Sequence, residues 1–404
     1  MTSSSSNLAP NSPGSLHRVR LMFAAVLIAA VAFLAGVWFA ERTDSPHDTR
    51  NFDIFWQSWS ILEREFYYDL PEERELIYGA IQGLLAKAGD PYTFFAPPRQ
   101  ASFDRQRIAG EFGGIGAYVG LNAEGQLTIT ALFAGYPAEE AGLQVQDVIL
   151  EVDGVSIAGW TLEDSVARLR GEVGSKVTLT VYRPRDESRF SVEITRARVE
   201  LPTLIASTYD QVGYVRLFSF NDRATELLSN EIDTLLDQGI AALILDLRGN
   251  PGGLLDQAVS VSDLFLDEGV VVTQRDRNGH STVYRSVTGQ PAETLPLAVL
   301  IDSTSASASE VVAGALRDRG RAVLIGQPSF GKGSVQHVHD LPDGSQVHVT
   351  VALWFTPNET PIQGQGLTPD IVVEETTGSD EGEDPFITAA LEYLTAQLQE
   401  PASP

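Results

Sequence analysis

Three short, almost wholly apolar runs constrain this chain more than anything else in it: AALILDL (241–247), LPLAVLID (295–302) and RAVLIG (321–326). A strand that reads as a continuous apolar run, without alternation, is covered on both faces. Such strands belong to parallel sheets, whose right-handed crossovers lay helices on the sheet. The intervening segments fit. ATELLSNEIDTLLDQG (224–239), GGLLDQAVSVSDLFL (252–266) and SEVVAGALRD (309–318) carry helical periodicity, and GYVRLFSF (213–220) is a further strand. An α/β core over residues 201–375 is expected, with its function in loops just past the carboxyl ends of the strands.

The remaining segments differ in character. Residues 52–88 look helical, with Phe52, Phe55, Trp56 and Trp59 spaced as one buried face. GDPYTFFAPP (89–98) ends that region with glycine and proline. Residues 110–200 hold short β-rich runs (GAYVGLN, QLTITALF, DVILEVDG, KVTLTVYR, FSVEITRA) and one helix, TLEDSVARLR, whose Thr161 and Asp164 suit its first turn. TTGSDEGEDP (376–385) is a charged linker and FITAALEYLTAQL an amphipathic helix. The expected division is 1–20 tail, 21–40 anchor, 41–109 linker and helical region, 110–200 β-rich domain, 201–375 core, and 376–404 acidic linker and C-terminal helix.

Residues 21–40 are twenty apolar residues without a charge, preceded by His17, Arg18 and Arg20. That length spans a bilayer, and the positive flank stays cytoplasmic. A single-pass anchor in the inner membrane is expected, with the bulk of the chain on the extracytoplasmic, periplasmic side. A cleaved signal peptide is the alternative, against which bulky Trp38 stands where a small residue is wanted. The 54 acidic against 28 basic residues leave a net charge of −26, which argues against nucleic-acid partners. The absence of cysteine excludes disulfides, a thiol nucleophile and thiolate zinc sites.

Two strand-end loops stand out. In DLRGNPGGLL (246–255), three glycines between strand and helix make a tight turn, or bare N–H groups of the kind a developing oxyanion needs. In DSTSASASEVVAGALRD (302–318), Ser307 and Glu310 have capping-box spacing. If Ser305 or Thr304 caps the helix instead, Ser307 is free to act as a nucleophile. A serine needs a base. His17, His47 and His280 are badly placed. His337, His339 and His348 would hold a metal only with ligands the sequence does not supply, so no metal or other cofactor is expected. Lys332, in GQPSFGKGS (326–334), remains. A phosphate loop needs a hydroxyl directly after its lysine, and Gly333 stands there. The segment holds no acid, so Lys332 is either a surface-turn lysine or a buried, neutral general base.

GEFGGIG (110–116), LRGNPGG (247–253), SASASEVVAGALRD (305–318), GKGSVQ (331–336) and TPNETPIQGQGLTPDI (356–371) together resemble the C-terminal processing peptidases, or tail-specific proteases, of the Ser–Lys class. The resemblance spans roughly residues 50–375. It implies a core of the crotonase/ClpP type preceded by a PDZ domain. It implies Ser307 as nucleophile, Lys332 as base, Gln336 orienting that base, and oxyanion donors at the N–H groups of Ala308 and Gly252. Asp318 matches an acidic position read as structural support. A PDZ domain would take peptide tails by β-augmentation, with Gly113, Gly114, Ile115 and Gly116 nesting the terminal carboxylate. Partners are then proteins with free C-termini and the membrane. A homo-oligomer is compatible with this, and a catalytically silent PDZ adaptor is the rival.

Overall fold

The computed structural model describes residues 52–200, 202–374 and 384–399. The expected tail (1–20), the anchor (21–40) and most of the acidic linker lie outside them. Among the described residues no helix is long and apolar enough to cross a membrane. The chain divides into two compact units, up to Glu75 and from Leu76 onward.

The first unit contains α1 (Asp53–Glu65). The 52–88 region is therefore not one helix. Phe66 turns the chain out of α1 in an extended conformation, and α2 (Glu73–Ala86) starts beyond Pro71. The aromatic face expected to be buried is not. Phe52 and Trp56 are 55 % and 57 % exposed, and no residue of α1 is buried. The rings pack on one another instead, Phe55 and Trp59 with centroids 5.9 Å apart.

In the second unit, β1 (Phe94–Ala96) and α3 (Pro98–Ile108) lead into a β-rich module. A ribbon of β2 (Glu111–Gly114) and β9 (Ala197–Glu200) closes its base. Between them run β3 (Ala117–Leu121), β4 (Leu127–Leu132), β5 (Val148–Val152), β6 (Val155–Ser156), β7 (Lys176–Arg183) and β8 (Ser188–Thr195), antiparallel throughout. The short α4 (Pro137–Glu140) and α5 (Leu162–Leu169) cover them. As expected, the Asp164 N–H donates to Thr161 Oγ at 3.1 Å and caps α5. Ile129, Val152, Leu179 and Val181 alternate inward to form the module's core.

The α/β core is a six-stranded sheet in the order β10 (Leu204–Tyr209), β11 (Val212–Leu217), β12 (Ala242–Asp246), β15 (Leu297–Ile301), β16 (Val323–Gly326), β19 (Ile371–Val372). Every pairing is parallel except that of β10 with β11. All five residues of β12 and of β15 are buried. Leu243, Leu245, Val299 and Ile301 face α6 (Ala224–Asp237), α7 (Leu255–Asp263) and α8 (Ala308–Asp318). Ala242, Ile244, Ala298 and Leu300 face α9 (Pro385–Gln399). Phe386, Ala390 and Leu394 recur every four residues along that helix and are buried. Fully burying Phe386 and Leu394 contributes about 1.5–3 kcal/mol each.

A second, five-stranded sheet joins β1, β13 (Gly269–Asp276), β14 (Ser281–Ser286), β17 (Ser334–Asp340) and β18 (Gln346–Phe355). It brings the 89–96 and 332–336 segments to the same strand, β18.

Candidate active site

The loop 247–254 and the loop 302–307 leave neighbouring parallel strands, β12 and β15, at their carboxyl ends. Buried Asn250 joins them. Its side chain donates to Leu217 O (2.8 Å), and its carbonyl accepts the Ala306 N–H (3.1 Å) and Ser309 Oγ (2.9 Å). The Asp302 carboxylate takes N–H groups from Gly249, Thr304 and Ser305. Burial alone would raise its pKa, but these donors hold it below the usual carboxylate range.

The serines of SASAS divide by their bonds. Ser305 Oγ donates to Leu247 O (2.8 Å) and Ser309 Oγ to Asn250 O. Neither Ser305 nor Thr304 caps α8. Ser307 itself stands at the N-cap, at φ 57° and ψ −112°. A non-glycine residue held there stores on the order of 1–3 kcal/mol. Its N–H donates to Glu310 Oε2 (2.8 Å), as in one half of a capping box.

Glu310 is the hub of the site. It is fully buried, and its carboxylate accepts four hydrogen bonds: from Ser307 N, from Lys332 N (2.9 Å), from Gly331 N (2.7 Å) and from Ser329 Oγ (2.6 Å). The N–H groups of the glycine–lysine turn thus close on the chain's own carboxylate and leave no phosphate cradle. Gly333 is needed for packing, since a Cβ would stand 2.2 Å from Gln363 N.

Lys332 is no surface-turn lysine. Burial, then the charge of Arg107, pushes its pKa below the ordinary lysine value, against the opposing pull of Asp104 and Glu310. Among the described residues its Nζ makes no hydrogen bond, and it lies over the Tyr92 ring, 5.3 Å from the centroid. Gln336 is not bonded to it in this structure. Gln336 Nε2 donates to Ser334 Oγ (2.8 Å) and Thr350 Oγ (3.1 Å), because β17 pairs Gln336 with Thr350.

One cavity of about 280 Å³ is lined by Ser307, Lys332, Gln336, Gly252, Gly253 and His348, among others. Gly252 does not present a free N–H, which is donated to Asn250 Oδ1 (2.9 Å). Gly252 is nevertheless required at φ 99°, where a Cβ would stand 2.7 Å from Ala306 O and 2.9 Å from Ser307 Cβ. Among the described residues the N–H groups of Ala308 and Gly253 have no partner. The arrangement offers a hydroxyl on a strained N-cap, an amine whose pKa lies below the ordinary lysine value, and free N–H groups, which are the parts of a covalent acyl-transfer site.

Asp318 makes contacts of the kind a supporting residue makes. Its carboxylate takes the Asn358 N–H (3.1 Å) and Arg317. His337, His339 and His348 do not converge, and among the described residues no group of three His, Asp or Glu side chains could hold a metal ion.

The module has its own groove between β3 and α5, about 160 Å³, lined by Gly114, Ile115, Gly116, Tyr118, Leu169 and Arg170, among others. Gly113 does not line it. Gly113 is packed on Gly171, where a Cβ would meet a carbonyl at 2.2 Å. Sequence reasoning missed Arg170, which lies over the Phe112 ring at 4.3 Å with its buried Nε unpartnered among the described residues. Its place in RLRGE gave no signal.

Known proteins are similar to this chain. The peptidase family S41 model matches residues 211–373, and a PDZ domain model matches residues 128–183. A carboxyl-terminal-processing protease of Picosynechococcus sp. is 37 % identical over 324 residues, 79 % of this chain and 78 % of that one. The carboxy-terminal processing protease CtpA of Bacillus subtilis is 33 % identical over 367 residues, 89 % of this chain and 78 % of that one. A solved S41 protease structure from Bacteroides fragilis shares the fold, with a TM-score of 0.52 at 17 % identity over 82 % of this chain and 93 % of that one. With relatives of that identity along most of its length, the chain belongs to peptidase family S41, as a PDZ-carrying member of the group named for carboxyl-terminal processing.

Proposed function

We propose that the chain is a serine endopeptidase that cleaves proteins near their C-termini with a Ser307–Lys332 dyad. Neutral Lys332 accepts the Ser307 proton as Oγ bonds to the scissile carbonyl carbon. The lysine ammonium then returns that proton to the leaving amine as the C–N bond breaks, and water releases the acyl-enzyme. The Ala308 N–H and one N–H of the Gly252–Gly253 pair hold the oxyanion; that of Gly253 is free, whereas Gly252 must first give up Asn250. Gln336 Oε1 aims the amine once it turns toward Ser307. The reading is carried by one observation: strained Ser307 and half-buried Lys332 line the same cavity and are fastened to the same carboxylate. A silent adaptor has no use for that strain.

The PDZ groove takes the substrate tail, its terminal carboxylate reaching the N–H groups around Gly114–Gly116 and Arg170. The core is of the ClpP type, with the domain limits 110–200 and 201–375. Residues 21–40 anchor the chain in the inner membrane with the core outside. Mass spectrometry of a model protein substrate should show new C-termini near its tail, absent with Ser307→Ala. C-terminal amidation of the substrate should lower kcat/KM about tenfold or more; equal rates would remove the groove from recognition. The full chain should remain with membranes after alkaline carbonate extraction, and its release would refute the anchor.

A further inference from the structure

The Lys332 amine lies over the face of Tyr92, 5.3 Å from the ring centroid, and the titratable groups that bear on it are Arg107, Asp104, Glu310 and His348. The backbone that carries the ring is tied down on both sides. The Tyr92 N–H donates to Asp90 Oδ1 (3.2 Å), and Thr93 Oγ donates to Asp90 Oδ2 (2.7 Å). Thr93 Oγ in turn accepts the Thr350 N–H (3.0 Å), while β1 pairs Phe94 with His348. The same Thr350 holds Gln336. The loop bearing the ring and the side chain read as aiming the amine are therefore fixed to one strand, β18.

A neutral phenol ring attracts a cation to its face and does little for a neutral amine. The phenol stays neutral, because burial and the charges of Glu310 and Asp90 raise its pKa. We propose that Tyr92 is a positioning residue for the base: its ring holds the protonated Lys332 amine between turnovers, and deprotonation releases the amine toward Ser307. This rests on Lys332 being the base. Because the ring favours the charged form, it holds the acid limb of the kcat/KM profile at higher pH than burial alone would set. The sign of the effect follows. A weaker ring makes the neutral amine easier to form, so the limb moves to lower pH.

The test is the pH profile of kcat/KM on fluorescein-labelled casein for the full chain and variants at position 92. Tyr92→Phe keeps the ring and should leave the limb in place. Tyr92→Leu should move it acidward by about 0.5–1 pH unit. 3,4,5-Trifluorophenylalanine at position 92 keeps the shape, weakens the ring's negative face, and should give the same direction. It also decides the matter if the leucine variant does not fold, or if water entering beside the amine moves the limb the other way. A limb unmoved by fluorination overturns the proposal. Lys332→Met, run in parallel, separates the two readings. If it remains active the base assignment fails; if it is inactive while the fluorinated ring leaves the limb unmoved, only the role of Tyr92 fails.

Discussion

Ser307→Ala and Lys332→Met are each expected to lower kcat by about four orders of magnitude or more, and the double variant no further than either alone. Residues that act as a unit in one proton-transfer step fail together, so their losses do not add. The folds should persist. Ser307→Ala removes one oxygen and leaves the Glu310 contacts, which run through backbone N–H groups. Lys332→Met should melt at the same temperature or higher. The folded-state pKa of Lys332 lies below that of a free lysine, so the unfolded chain binds more protons between the two values. The lysine's cost to stability is thus fully present below the folded pKa and disappears as pH rises past the unfolded one. Methionine removes that cost at neutral pH. In the parent enzyme, kcat/KM should rise with pH through a single ionisation below 10.5, the ordinary lysine value. Lys332→Met retaining a tenth of parental turnover would exclude the dyad.

How much of this was legible in the sequence depended on the physical range of each signal. The buried strands 242–246 and 297–301 were plain, because coverage on both faces leaves an apolar run that needs no partner to be recognised. The second sheet was not. β18 is half-covered and alternates poorly, and its pairing with β1 spans some 250 residues, so no local pattern records it. Helix α7 starts at Leu255 and not at Gly252, because Gly252 and Gly253 are held at φ 99° and 155° by the loop. Ser307 and Lys332 were legible by exclusion and by motif. The engagement of Gly252 by Asn250 is a local turn bond two residues apart, whereas the bonding of Gln336 to Thr350 and the contact of Tyr92 with Lys332 are tertiary.

Glu310 shows the same limit. Its spacing from Ser307 marked it as a helix cap, and only the fold shows that it clamps two loops through four hydrogen bonds. A group surrounded by four donors acts as an ionised, acceptor-only carboxylate. Glu310→Gln keeps the shape but turns one end into a donor facing two donors. Two of the four bonds are lost, at roughly 1.5–3 kcal/mol each for a charged acceptor. The melting temperature should fall by about 10 °C and kcat by about 100-fold or more, as Ser307 leaves its strained N-cap. An unchanged melting temperature with unchanged kcat would refute the clamp. Charge and geometry can then be separated. The Glu310 charge favours protonated Lys332, so whatever activity Glu310→Gln retains should have its acid limb at lower pH than the parent. Glu310→Asp keeps the charge but is too short to reach both loops. It should lose a comparable share of kcat while leaving the limb nearly in place, because the clamp depends on reach and the base's proton affinity on charge.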